Sequence, residues 1–301
     1  MYRKVEIKVP ATTANLGPGF DCLGMALDLW NTIELELDNE GIQITGEGDD
    51  TLSKDENNLI FQSAINLFDA ALVPVPRFSL KCHNNIPLGR GLGSSAAAVI
   101  GGISAANEIC GRPFNSEQIA RLAVDIEGHP DNVVPALEGG LRIVIRQGEE
   151  ILSSPVTISP NIRAVALIPH QTISTKQART ILPPNVSRED AVFNIGRVAL
   201  LVNSLSTGGI GLLKTATEDR LHQSQREILF PAMRLIFQAA HKAGALGVFL
   251  SGSGPTIIAL TVERGMTIAY EMADIAEKAG VFSDLRIMEI SKAGVTSRLC
   301  E

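Results

Sequence analysis

The sequence predicts an α+β fold, and three observations carry that assignment. Strand-like alternation and helical periodicity are interleaved along the whole chain. No regular alternation of strand and helix runs through the first half, which argues against a doubly wound sheet. The 301 residues, 45% hydrophobic and 20% charged, supply enough apolar material for one large domain or two closely joined ones.

The elements follow from local patterns. Val5–Val9 alternates apolar and polar residues and reads as a strand, as do Ile33, Leu35 and Leu37 between Glu34, Glu36 and Asp38. Leu59–Leu72 has helical periodicity and is stopped by Pro74 and Pro76. A strand is expected over Arg77–His83, then a glycine-rich loop, then an Ala-rich helix from Ser94 to Cys110. Asn115 followed by Gln118 matches a capping box that opens a helix through Glu127. Arg163–Pro169 reads as a buried strand. Helices are expected over Glu189–Leu205, Pro231–Ala243 and Arg264–Gly280, and strands near Gly247–Leu250, Thr256–Leu260 and Leu285–Ile290. The polar stretch Gln147–Asn161 is the expected seam, giving an N-terminal part of residues 1–155 and a C-terminal part of residues 156–301.

The bulk numbers exclude several classes. A net charge of −7 disfavours non-specific binding to nucleic acid or to an anionic membrane. No stretch approaches the ~18–20 apolar residues of a membrane span. The first residues lack the apolar core of a signal peptide. Cys22, Cys82, Cys110 and Cys300 show no paired spacing, so reduced thiols and a cytoplasmic location are expected.

Ile86–Val99, IPLGRGLGSSAAAV, carries the most chemistry. Gly89, Gly91 and Gly93 let the backbone take positive φ and bring N–H groups close to a ligand. Ser94 and Ser95 open a helix whose N-terminus adds free donors and the positive end of its dipole. The small residues Ala96–Ala98 leave room for a bulky anion. Neither the P-loop pattern nor the dinucleotide-binding glycine pattern is present. Val9–Leu27, VPATTANLGPGFDCLGMAL, reads as a non-regular loop after a strand, with Asn15 and Asp21 suited to a ligand's hydroxyl or amine. Gly247–Leu260, GVFLSGSGPTIIAL, places Ser251–Pro255 between two strand-like runs. Glu127–Pro135, EGHPDNVVP, brings Glu127, His129, Asp131 and Asn132 together in sequence. Thr175 and Arg179 lie four apart, on one face if helical. Arg226 offers another planar fork that suits a carboxylate.

PLGRGLGSSAAAV resembles the phosphate-binding motif of the GHMP kinases, and the motifs at both ends resemble that superfamily's N- and C-terminal motifs. The string H-P-D-N at His129–Asn132 is similar to the homoserine kinase branch. The resemblance implies an N-terminal domain like the second domain of ribosomal protein S5, a ferredoxin-like C-terminal domain and a substrate site between them. It implies ATP and Mg2+ as cofactors, L-homoserine as substrate, a step in threonine biosynthesis, and a homodimer. Nucleotide contacts are expected from Pro87, Leu88, Gly89, Arg90, Gly91, Leu92, Gly93, Ser94, Ser95 and Ala96, with Asn58 near the adenine. Ser95 and Glu127 are the expected Mg2+ ligands. Asn15, Asp21, His129, Thr175, Arg179, Arg226 and Gly252 are the expected substrate contacts, with Asp21 meeting the ammonium and the arginines the carboxylate. Asp131, Asn132 and Arg179 are expected nearest the reacting groups. Asn132 cannot take a proton, so positioning without a dedicated base is expected. Another GHMP enzyme acting on mevalonate, shikimate or a sugar, and a non-catalytic ligand sensor, remain as alternatives.

Overall fold

The computed structural model describes residues 3–158 and 161–300. The chain begins with β1 (Lys4–Ala14), β2 (Leu23–Leu37), β3 (Gly41–Gly46), α1 (Leu59–Ala70) and β4 (Phe78–Asn84). Then come α2 (Ser94–Ile109), α3 (Ser116–Glu127), α4 (Pro130–Glu138), β5 (Leu141–Gln147) and β6 (Glu150–Val156). The second half holds β7 (Arg163–Pro169), α5 (Thr175–Thr180), α6 (Arg188–Thr207), α7 (Leu213–Ala216), α8 (Gln223–Arg226) and α9 (Met233–Lys242). It closes with β8 (Gly247–Leu250), β9 (Ile257–Thr261), α10 (Gly265–Lys278), β10 (Ser283–Glu289) and β11 (Thr296–Cys300). The mixed α+β class is as the sequence predicts.

Among the described residues the strands form two sheets. The seven-stranded sheet runs β11-β1-β2-β4-β3, with β5 also paired to β2 and β6 to β5. The alternation in β1 and β2 buries Val5, Ile7, Val9, Ile33 and Leu35, each at 0% exposure, beneath α2 and α4. The Ala-rich sequence of α2 explains its depth. Ala96, Ala97, Ile100 and Ile103 are fully buried, and a side chain at Gly102 would strike the Ile60 carbonyl of α1. The four-stranded antiparallel sheet runs β10-β7-β9-β8. With α9 between β7 and β8 in sequence and α10 between β9 and β10, this is the ferredoxin-like βαββαβ order. Both helices pack on it, burying Ile236, Ile268 and Met272 against Val165, Leu167 and Ile257.

The structure adds to the sequence reading at three stretches. Val9–Leu27 is mostly strand, because β1 runs to Ala14 and β2 begins at Leu23, so the irregular part narrows to residues 15–22. The polar stretch Gln147–Asn161 contains β6, whose pairing with β5 satisfies its backbone while most of its side chains stay wet; residues 159–160 of that stretch lie outside the described residues. Residues 130–138 form α4, a helix the sequence reading does not place, with Pro130 in the first turn, where its missing N–H costs nothing. The chain moves from one sheet to the other between Val156 and Arg163, and β11 then returns to pair with β1.

The predicted capping box opens α3, with Asn115 and Gln118 bonded reciprocally. Asn58 caps α1: its Oδ1 accepts from the N–H groups of Ile60 and Phe61 at 2.9 and 3.3 Å, and its Nδ2 donates to the Ser53 carbonyl at 2.8 Å. Removing a cap of this kind costs about 1–2 kcal/mol. Asn58→Ala is therefore expected to lower the unfolding free energy by about that amount, measured by urea denaturation. An unchanged midpoint would show that the cap contributes nothing.

Candidate active site

The phosphate-loop sequence folds as an open cradle. Gly89, Gly91 and Gly93 have φ of 63°, 78° and 70°, the left-handed region that only glycine enters freely. Gly93 is the N-cap of α2 and supplies no side chain to its first turn. The leading N–H groups of α2 therefore have no side-chain cap. Pro87 and Leu92 are buried and anchor the loop, whereas Gly89 and Ser95 are exposed. Ala96 is fully buried behind them. Ser94 is the first residue of α2, and Leu88 lies half-buried ahead of it. Arg90 reaches toward Glu47 at 3.9 Å.

Two other segments close on this cradle. A side chain at Gly93 would collide with Thr12 Oγ1, and one at Gly91 with the Ser251 carbonyl. Thr12 donates its backbone N–H to the Leu92 carbonyl at 3.1 Å and its hydroxyl to Asn132 Oδ1 at 2.8 Å. Ser251 Oγ lies 2.5 Å from the Gly91 carbonyl and 2.8 Å from Thr13 Oγ1. Asn132 is thereby held at the mouth of the cradle. Ser95 donates to Glu127 Oε2 at 2.6 Å. Burial raises the Glu127 pKa, opposed by that hydrogen bond. These two oxygen donors sit side by side, and a hard cation such as Mg2+ takes such ligands.

Polar groups gather beside the cradle. Residues 15–21 form a tight turn in which Asn15, Leu16, Gly17 and Asp21 all have positive φ. Asn15 Nδ2 donates to the Gly252 carbonyl at 3.0 Å, and its Oδ1 accepts the Asp21 N–H at 3.0 Å. Arg179, near the end of α5, meets Asp21 through two parallel bonds of 3.0 and 2.6 Å. Thr175, one turn earlier, lies 3.2 Å from Ser253 Oγ. Arg226 is only 3% exposed. It donates to the Gly252 carbonyl at 2.7 Å, to the Ala178 carbonyl at 3.3 Å and to His222 Nδ1 at 3.0 Å. Phe20 lies under both guanidinium groups, 5.4 Å from Arg179 and 5.5 Å from Arg226. Burial, with Arg179 nearby, lowers the Arg226 pKa to about 10, so it stays charged at neutral pH. His129 is the N-cap of α4 and half-buried. Burial and then Arg179 lower its pKa.

The structure thus brings Asn15, Asp21, Arg179, Arg226 and Gly252 into one bonded cluster, with Thr175 on Ser253 of the same glycine loop, and sets Asn132 between that cluster and the glycine loop. The side-chain amide of Asn58 is engaged in the α1 cap. Sequence reasoning did not single out Thr12, Thr13, Phe20, Ser251 or His222. Their signal was adjacency to the motifs: hydroxyls near strand ends, and one aromatic next to Asp21. Only the fold shows that these side chains bridge segments more than 100 residues apart.

Asp131 is the most perturbed carboxyl of the cluster. It is 3% exposed, and its Oδ1 has no hydrogen-bond partner among the described residues. Burial and then Asp21 raise its pKa to about 7, with Arg179 opposing. Between pH 4 and 7 the folded chain therefore keeps a proton that the unfolded chain has released. Stability falls as pH rises through that window and levels off above it. Asp131→Asn is expected to remove this slope, gaining roughly 1–4 kcal/mol on the wild type at pH 8 compared with pH 4. Parallel stability curves for the two proteins from pH 4 to 8 would refute a raised pKa.

With this geometry on the page, comparison with known proteins is specific. The GHMP kinases N terminal domain matches residues 58–140, and the GHMP kinases C terminal domain matches residues 198–278. The chain is similar to the homoserine kinase of Desulfitobacterium hafniense, at 43% identity over 96% of this chain and 98% of that one. It is similar to the homoserine kinase of Moorella thermoacetica at 45% identity, over 91% and 93% of the two chains. The crystal structure of homoserine kinase from Cytophaga hutchinsonii superposes with a TM-score of 0.89 at 30% identity, covering 99% of this chain and 98% of that one. The chain belongs to the homoserine kinase family of the GHMP kinases.

Proposed function

We propose that the protein transfers the γ-phosphoryl group of ATP to the side-chain hydroxyl of L-homoserine, giving O-phospho-L-homoserine and ADP, as a step toward threonine. The observation that carries the substrate reading is the paired Asp21 and Arg179 beside buried Arg226. An α-amino acid brings one ammonium and one carboxylate, so it can replace the internal partner of each member of this pair. Mevalonate and sugars carry no ammonium, and shikimate carries none either. In this reading Asp21 takes the ammonium and the two arginines take the carboxylate. Asn15, Thr175, His129 and the Gly252 loop shape the remaining walls.

The chemistry asked of the protein is positioning and charge stabilisation, since phosphoryl transfer passes through a loose transition state. Gly89–Ser95 and the N-terminus of α2 hold the phosphates through backbone N–H groups. Asn132, fixed by Thr12 at 2.8 Å, orients the acceptor hydroxyl toward the phosphate site. Asp131 lies beside it in the same turn. Ser95 and Glu127, bonded at 2.6 Å, have the oxygen donors to hold Mg2+. Bound Mg2+ supplies neutralisation of the charge developing on the phosphate oxygens. The exposed apolar face of α6, with Val192 at 63% and Ile195 at 69% exposure, supports a homodimer; a monomeric mass in solution would remove that part.

A coupled ADP-release assay with Mg-ATP tests the whole reading. Turnover with L-homoserine, and none with mevalonate, shikimate or galactose, is expected. No ADP release with any acceptor would favour a ligand sensor. Arg179→Ala is expected to raise the KM for homoserine by roughly 10- to 100-fold; a normal KM would remove its carboxylate role. Asn132→Ala is expected to lower kcat by roughly 100-fold through misplacement of the hydroxyl. Unchanged kcat and KM would rule that role out.

A further inference from the structure

Arg226 is held by a buried device that the phosphoryl-transfer reading does not use. Asp219 lies in the turn before α8, and its carboxylate accepts the N–H groups of Leu221, His222 and Gln223 at 2.8–2.9 Å and Asn194 Nδ2 at 2.7 Å. Burial alone would raise its pKa; the Asn194 amide and those backbone donors override it and keep the pKa low. The anchored turn places the His222 ring at 0% exposure. Its two nitrogens face opposite ways. Nε2 is 2.7 Å from the Gly17 carbonyl, and Nδ1 is 3.0 Å from Arg226 Nη1.

The partners decide the tautomer. A guanidinium can only donate, so Nδ1 must accept; a carbonyl can only accept, so Nε2 must carry the proton. The ring is therefore neutral. Burial lowers its pKa, with Arg226 adding to the effect and Asp219 and Asp21 opposing it. Nε2 also lies 3.7 Å from Asp219 Oδ2, but the shorter bond goes to Gly17. Phe20 packs on the ring at 5.2 Å. Nε and Nη1 of Arg226 are thus committed to Ala178, Gly252 and His222. Nη2 keeps two donors for a ligand.

We propose that His222 is a positioning residue for the substrate carboxylate, setting the direction of the Arg226 fork and tying it to the turn at residues 15–21. One neutral ring fixes both sides of the amino-acid site: the arginine through Nδ1 and the Asn15–Asp21 turn through Nε2. This rests on the reading that Arg226 meets the substrate carboxylate.

The test is steady-state kinetics of His222→Leu, His222→Asn and His222→Gln at saturating Mg-ATP. His222→Leu removes the acceptor for Arg226 and is expected to raise the KM for L-homoserine about 10-fold or more, with kcat and the KM for ATP little changed. His222→Asn can restore an acceptor near the Nδ1 position and is expected to recover most of the loss; His222→Gln, with its amide further out, recovers less. The inhibition constant of 3-aminopropan-1-ol, which is homoserine without its carboxylate, is expected to change less than the homoserine KM in each variant, because only the Nε2 bond to the turn at residues 15–21 acts on it. In an Arg226→Lys background, His222→Leu should add little further, because the two residues act as one unit. A homoserine KM within twofold of wild type in His222→Leu would overturn the proposal. So would equal weakening of homoserine and the carboxylate-free analogue, or additive effects in the double variant. If His222→Leu does not fold, equal KM values for the Asn and Gln variants give the same negative answer. A normal homoserine KM in Arg226→Lys would instead strike the carboxylate reading on which the proposal rests.

Discussion

Everything in the site depends on three backbones approaching closer than any side chain allows. The cradle meets the end of β1 at Gly93 and the β8–β9 loop at Gly91, and at both contacts a Cβ would overlap a neighbouring oxygen. Both glycines also have positive φ, which costs other residues ~1–2 kcal/mol even in open space. Space and conformation therefore demand glycine for separate reasons at the same positions. The hydrogen bonds among Thr12, Leu92, Asn132, Ser251 and Gly91 are possible only because of that approach. They tie the segments of the two sheets together at the glycine cradle.

A second constraint is electrostatic. Burying an arginine is costly unless its donors are engaged. Arg226 escapes that cost by using two carbonyls and one imidazole, none of them charged. Neutral acceptors satisfy its geometry and leave its charge uncancelled, as a site for an anionic group requires. Arg179 is solved differently. It is about one-third exposed and paired with Asp21, an exchangeable partner for a zwitterion. The two arginines thus differ in setting: one is buried among neutral acceptors, and the other is partly exposed and ion-paired.

Much of this was legible in the sequence wherever a local rule operates. The capping box at Asn115, the Ala-rich α2 behind the glycines, and β7 with its exact run of apolar residues all follow from period and cap chemistry. Misread or unread elements share a different physics. β3 has one buried residue in six, Ile44, and its Ile42–Gln43–Ile44 alternation between two glycines is too short to announce a strand; it is a strand because β4 lies beside it. α4 carries Pro130 and Pro135, which ordinarily end helices. In the site, Asp21 and Arg226 could be picked out by residue type and motif. Their working partners, Phe20 and His222, could not, because an aromatic ring or a histidine gains its role from what tertiary packing sets against it.

The return of β11 to the edge of β1 has a consequence for how the chain assembles. Lys4–Lys8 pair on one side with Thr32–Glu36 and on the other with Thr296–Cys300. β1 is thus made long before residues 296–300, which satisfy its outer backbone groups. Until then it presents an open sheet edge, the surface through which chains join one another. The four-stranded sheet, whose strands all lie within residues 163–289, can close on local contacts alone. Growing chains of this protein should therefore be most vulnerable to edge-on association in the interval before residues 296–300 emerge, and a chaperone that shields β1 would matter most at that stage.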